Sequence, residues 1–142
     1  EALSASLGFP QAMVVADLNN LKRTNDTYGH AAGDRLIKLL ADAARAHWPT
    51  AKGYRMGGDE FLLLLPMLAG DAPIEQQLEA FQARCATLTL DLPDGTTMHP
   101  NSALGHAMRN DASQPLEQCL ALADARMYAM KATQKKRRTD VV

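Results

Sequence analysis

The segment Lys52–Leu65, KGYRMGGDEFLLLL, decides how this chain folds. Lys52–Met56 and Phe61–Leu65 read as two strands, and Gly57-Gly58-Asp59-Glu60 as the turn between them, because paired glycines permit the positive φ that tight hairpins demand. A hairpin in mid-chain argues against a doubly wound parallel sheet. On its N-terminal side, Ala12–Leu18 (AMVVADL) follows Pro10 as a continuous apolar run, short enough for a strand buried on both faces. The end of that strand delivers Asp17. Asn20 to Thr27 predicts a short helix closed by Gly29. Ala32, Leu36, Leu39, Leu40 and Ala43 predict a second helix that lasts until Pro49.

On the C-terminal side, Ile74, Leu78, Phe81, Cys85 and Leu88 keep helical spacing after Pro73, and the Thr-Leu-Thr-Leu alternation at 87–90 opens a strand. Pro93-Asp94-Gly95 is a turn signal, and Thr96–Met108 reads as one strand with an irregularity at Pro100. Ser113 offers an N-cap ahead of Pro115, and Leu116, Leu120, Ala123, Met127 and Met130 form the stripe of a last helix. The order β-α-α-β-β-α-β-β-α predicts an α+β sandwich with helices packed on a largely antiparallel central sheet. Residues 1–134 form one domain in this reading. Residues 135–142, with the run Lys135-Lys136-Arg137-Arg138, form a basic C-terminal tail.

A chain of 142 residues, 46% hydrophobic and 22% charged, needs no disulfide or metal staple to stay folded. Its 15 Lys and Arg against 16 Asp and Glu give a net charge of −1. That balance exerts no general pull on nucleic acid or anionic lipid, so neither is an expected partner and any phosphate chemistry must come from local charge. The longest apolar run, Phe61–Leu65, ends at Pro66 and is far short of the roughly 20 residues that span a bilayer. No basic segment followed by an apolar one marks a leader, so the cytoplasm is the expected compartment. Cys85 and Cys119 lie on helical stripes outside any metal-ligand spacing and read as buried thiols. His47, His99 and His106 read as structural or solvent-facing.

Paired strands would bring Asp17 and Asp59 together. Hard cations such as Mg²⁺ take oxygen ligands and commonly use one or two carboxylates plus substrate phosphates. Gly57 and Gly58 carry no side chains, so phosphate oxygens could approach their backbone N–H groups. Taken alone, a Gly-Gly-Asp-Glu turn is more often a solvated hairpin, and the pattern leaves both readings open.

Three segments together resemble the GGDEF-domain family of diguanylate cyclases. They are Arg55 with Gly57-Gly58-Asp59-Glu60-Phe61, the stretch Asp17–His30 (DLNNLKRTNDTYGH) with Gly33-Asp34, and Ala123–Lys131 (ADARMYAMK). The resemblance implies a fold similar to class III nucleotide cyclases and polymerase palm domains. It also implies a reaction in which two GTP become cyclic di-GMP and release pyrophosphate. By position, Asp17, the Leu18 carbonyl and Asp59 would bind two Mg²⁺ per GTP site, with Mn²⁺ a possible substitute. Asn25 and Asp34 would read the guanine edge. Lys22 would stabilise phosphate charge, Lys131 would touch the terminal phosphates, and His30 would sit near the nucleotide. Asp59 would accept the 3′-hydroxyl proton, and Glu60 counts with Asp59 and Lys22 in the catalytic set. Because each of two facing domains would hold one GTP, a weak or transient homodimer is the implied working form.

The chain also departs from the family pattern. Where many members carry an inhibitory RxxD motif, it reads Trp48-Pro49-Thr50-Ala51, so that product-binding site is expected to be missing. Gln134-Lys135 replaces a Gly-Arg pair, which leaves Lys135 as the phosphate contact without the guanidinium fork. Asn19 replaces a common Asp, and Ala103 stands where a Ser is usual and reads as packing. No DxLTGLxNR-like turn opens the chain, which implies a piece trimmed from a longer protein with an upstream sensory or regulatory domain and a parent that is soluble or membrane-bound. The rival reading is a catalytically weak GTP-binding module that controls a partner domain.

Overall fold

The computed structural model describes residues 8–140, with side chains as far as Lys136. Six strands and four helices run in the order β1 (Gln11–Leu18), α1 (Leu21–Tyr28), α2 (His30–His47), β2 (Lys52–Arg55), β3 (Glu60–Pro66), α3 (Ile74–Ala86), β4 (Leu90–Asp91), β5 (Thr97–Met98), β6 (Ser102–Arg109) and α4 (Leu116–Asp140). The main sheet has the order β2-β3-β1-β6 and every pairing in it is antiparallel. This is the α+β architecture that the hairpin at 52–65 implies.

β1 lies between β3 and β6, and all eight of its residues are buried. Its side chains alternate between two cores, as a strand's period of two requires. Ala12, Val14, Ala16 and Leu18 pack with Leu36 and Leu40 of α2 and with Leu78 and Phe81 of α3. Met13 and Val15 pack on the opposite face with Cys119, Ala123 and Met127 of α4. The apolar stripe of α4 rests on β6 and β1.

The close fit of α4 rests on small residues in β6. Ala103, Gly105 and Ala107 sit beside Asp17, Val15 and Met13 on the α4 face. A Cβ on Gly105 would lie 2.0 Å from the Ala123 carbonyl oxygen and 2.2 Å from the Met127 nitrogen. Ala103 is fully buried here, in keeping with the packing role expected of it. Cys85 and Cys119 are buried free thiols, and burial pushes the Cys85 thiol up to about 11.

Four expectations need correction. The stretch 96–108 is two strands, because the buried Pro100 breaks it, and β5 pairs with β4 in a separate two-stranded sheet. α3 runs to Ala86, so only Leu90 of the Thr-Leu-Thr-Leu run is in a strand. The basic run 135–138 is not a tail beyond the last helix, since α4 continues to Asp140. Finally, Gly57 and Gly58 are not among the positive-φ glycines, so the 52–65 hairpin turns without a left-handed residue.

Replacing Gly105 with Ala should lower stability by about 1–3 kcal/mol, because the added methyl meets helix backbone that cannot rotate away. A urea midpoint equal to that of the parent chain would show that α4 slides freely on β6.

Candidate active site

The carboxylates meet at the end of the sheet where β1 finishes and β3 begins. Antiparallel pairing sets Asp17 opposite Glu60, and the Leu18 amide donates to the Asp59 carbonyl at 2.7 Å. That bond staples the turn to the end of β1. Arg55 shapes the turn itself, its Nε donating to the Gly57 carbonyl at 3.1 Å and its Nη2 to the Gly58 carbonyl at 2.6 Å. Nothing lies within 4 Å of where a Cβ on either glycine would stand, so their backbone faces open space. The Gly57 amide leans on the Glu60 carbonyl at 3.4 Å.

Asp17 points to the α4 side, where the Lys131 ammonium donates to its Oδ2 at 3.0 Å. Its Oδ1 is buried with no hydrogen-bond partner. Burial holds the Asp17 carboxyl above its usual range. Lys131 pulls the other way, and the neighbouring Asp59 adds to the rise. Lys131 is raised in turn, first by its hydrogen bond to Asp17. Glu60 is raised by burial and then by the carboxyl of Asp124, which faces it from α4. Asp124 and Lys131 stand two helical turns apart, so one face of α4 touches both strand ends.

An unsatisfied buried carboxylate oxygen beside a second carboxylate suits a hard divalent cation. Among the described residues no cluster of three or more His, Cys, Asp or Glu side chains could enclose a metal. The donor set therefore fits a cation that takes the rest of its ligands from water or phosphate.

Of the remaining expected residues, Lys22, Asn25, His30 and Asp34 lie on α1 and α2, and Lys135 lies on α4. The Asn25 side chain folds against the bare Cα of Gly33, where a Cβ would lie 1.7 Å from Asn25 Oδ1. Asn25 Oδ1 is also buried without a partner. The next residue on α2 is the exposed Asp34. Lys22 and His30 are exposed at the starts of α1 and α2, and Lys135 is exposed on α4 one turn beyond Lys131.

Two features carried no role in the sequence reading. Asp124 is one of them, although its spacing to Lys131 marks the shared helix face. The other is a bond between two positions that depart from the family pattern: Asn19 Nδ2 donates to Gln134 Oε1 at 2.8 Å, and Gln134 Nε2 donates to the Ser102 carbonyl at 3.1 Å. The three other histidines are structural: His47 meets the Gln77 carbonyl, His99 the Leu88 carbonyl, and His106 lies 3.2 Å from Glu75.

A family model described as "Diguanylate cyclase, GGDEF domain" matches residues 3–137. An uncharacterized protein in the hutH 5′ region of Streptomyces griseus is 38% identical over 85% of this chain and 49% of its own length. Diguanylate cyclase DgcN of Escherichia coli (strain K12) is 34% identical over 84% of this chain and 29% of its own. The chain thus spans half or less of these relatives. The crystal structure of the GGDEF domain of DgcB from Caulobacter crescentus, in complex with c-di-GMP, superposes with a TM-score of 0.77 at 25% identity, covering 93% of this chain and 78% of that one.

Because the folded Asp17 carboxyl titrates above its ordinary 3.8, its ionisation costs stability as pH rises through that window, and the cost is absent below it. In metal-free protein, Asp17→Asn should therefore raise the urea midpoint at pH 7 and leave it unchanged near pH 3. A lower midpoint at pH 7 would mean that the Lys131 pair outweighs burial.

Proposed function

The chain belongs to the GGDEF family of diguanylate cyclase domains, and from that premise we propose that it condenses two GTP into cyclic di-GMP with release of pyrophosphate. The observation that carries this reading is the buried, unpartnered Asp17 Oδ1, set beside the Asp59 turn at the edge of an otherwise apolar sheet. Asp17, the Leu18 carbonyl and Asp59 would hold two Mg²⁺ per GTP, with Mn²⁺ a possible substitute. When bound, these ions supply neutralisation of phosphate charge and acidify the attacking hydroxyl.

The protein's own groups do the rest. Asp59 accepts the 3′-hydroxyl proton as the new 3′-O–P bond forms and the bond from the α-phosphorus to the bridging oxygen breaks, with pyrophosphate leaving. Lys22, Lys131 and Lys135 offer ammonium groups to phosphate oxygens, and the open backbone at Gly57 and Gly58 lets phosphate approach. Lys131 meanwhile keeps Asp17 aimed through its 3.0 Å bond. Glu60 faces α4 through Asp124, which supports a positioning role for it rather than contact with the reacting atoms.

Asn25 carries both donor and acceptor groups, while Asp34 is acceptor-only and suits the N1–H and N2–H₂ donors of guanine. Adenine presents a lone pair at N1 and is rejected. His30, exposed on the first residue of α2, would sit near the nucleotide. One chain holds one GTP in this scheme, so a second copy must face it, if only transiently. A reaction that consumes GTP supports a cytoplasmic location, and relatives two or more times as long as the matched segment support control by a regulatory domain in a longer protein. Among the described residues no helix is long and apolar enough to cross a membrane.

Incubation with GTP and Mg²⁺, followed by chromatographic separation of products, tests the reading. Cyclic di-GMP and pyrophosphate are expected, and Asp59→Ala should reduce their formation at least about a hundredfold at an unchanged melting temperature. Bound GTP with no product, at concentrations that populate the dimer, would favour the regulatory module instead. A second variant isolates base recognition. Gly33→Ala gains helix propensity, yet its methyl displaces the Asn25 amide. It should preserve the melting temperature while weakening GTP binding roughly tenfold, on the scale of a lost polar contact. Unchanged GTP affinity by calorimetry would remove Asn25 from the guanine site.

A further inference from the structure

Gln134 of α4 joins two strand ends beside the carboxylates. Its Nε2 donates to the Ser102 carbonyl at 3.1 Å, and its Oε1 accepts from Asn19 Nδ2 at 2.8 Å. Ser102 is the buried first residue of β6 and pairs with Leu18. A carbonyl can only accept, so the Ser102 bond fixes which end of the Gln134 amide faces β6 and leaves its oxygen for residue 19. Residue 19 must therefore be a donor. Asn supplies one, whereas the ionised Asp common at this position in the family would set acceptor against acceptor. The departures at 19 and 134 thus explain one another.

Both ends of this chain of bonds rest on the site. Asn19 follows Leu18, and its main-chain amide donates to the Asn101 carbonyl at 2.8 Å. In a planar trans peptide the C=O points opposite to the N–H, so that bond turns the Leu18 carbonyl away from β6 and towards the hairpin that carries Asp59. On α4, Gln134 lies three residues beyond Lys131 and immediately before Lys135. Lys131 itself reaches Asp17 at 3.0 Å. One side chain therefore ties the peptide that follows the expected metal-binding carbonyl to the helical turn that bears both ammonium groups.

We propose that Asn19 and Gln134 are a matched pair of positioning residues, which hold Lys131 and Lys135 of α4 at a fixed distance from the Leu18 carbonyl and so favour a nucleoside triphosphate over the monophosphate. The proposal rests on the GTP reading of this site. Neither residue touches the reacting atoms; each acts through the groups it holds in place.

Two substitutions separate this role from electrostatic attraction, because neither alters charge. Asn19→Ala removes the donor. Gln134→Met keeps a long side chain of good helix propensity and removes both bonds. The ligands are 3′-deoxy-GTP, which lacks the attacking hydroxyl and is not consumed, and 3′-deoxy-GMP, each titrated by calorimetry in Mg²⁺. The parent chain should prefer the triphosphate. Each variant, at unchanged circular dichroism, should bind the triphosphate about three- to tenfold more weakly, the scale of a lost neutral hydrogen bond. Its affinity for the monophosphate should be unchanged, because the guanine-reading residues lie on α1 and α2. The double variant should bind no more weakly than Gln134→Met alone, since both changes remove the same bond. An unchanged preference in either variant, equal losses for the two nucleotides, or losses that multiply in the double variant would overturn the matched pair and leave the GTP reading standing. A parent chain that binds neither nucleotide, or both alike, would overturn the two together.

Discussion

Everything in this domain hangs on the double burial of β1. A strand with neighbours on both edges and helices on both faces has every backbone group committed and every side chain enclosed. Its two partners are therefore fixed in register, because a slip of one residue would exchange the two cores, moving Val14 and Met13 to the wrong sides. That register puts Glu60 and Ala103 on either side of Asp17. The site is thus a by-product of how tightly the strand is specified, and no flexible loop has to find its own place.

Among the described residues Asp17 is the only acidic one that is buried, and it stands one residue before the end of β1. Its neighbours divide the labour. Lys131 balances one oxygen, the other is left without a partner, and Asp59 stands by on the hairpin. A carboxylate held this way is expensive to keep in an empty protein and well prepared for a cation, a familiar exchange of stability for function. Asn25 repeats the pattern on a smaller scale, with a buried oxygen lodged against the bare backbone of Gly33.

How much of this could be read beforehand follows the physics of each element. β1, the 52–65 hairpin, α2 and α4 announce themselves because apolar periodicity and turn residues agree over long stretches. The meeting of Asp17 with Asp59 follows from strand pairing alone. Short elements were less readable: β4 and β5 have two residues each, too few for any alternation, and Pro100 splits a run whose composition is strand-like on both sides. The turn glycines are a different case: neither takes a positive φ, open space lies where their Cβ atoms would stand, and Arg55 ties the turn through their carbonyls. Contacts such as Glu60 with Asp124 and Asn19 with Gln134 join residues far apart in the chain, and no local pattern records them.

That last contact is made by two uncharged amides. The distal half of α4 is therefore fastened to the strand ends both by the Lys131–Asp17 ion pair and by neutral bonds, among them the Asn19–Gln134–Ser102 chain. Salt screens the first, more so because the lysine side chain is 43% exposed, and has little purchase on the second. Acid likewise dissolves an ion pair and leaves amides as they were. The helix that carries the lysines thus keeps a polar mooring whose strength does not follow ionic strength or pH, beside an apolar stripe equally indifferent to both, and its register on the sheet is insulated from the electrolyte around it.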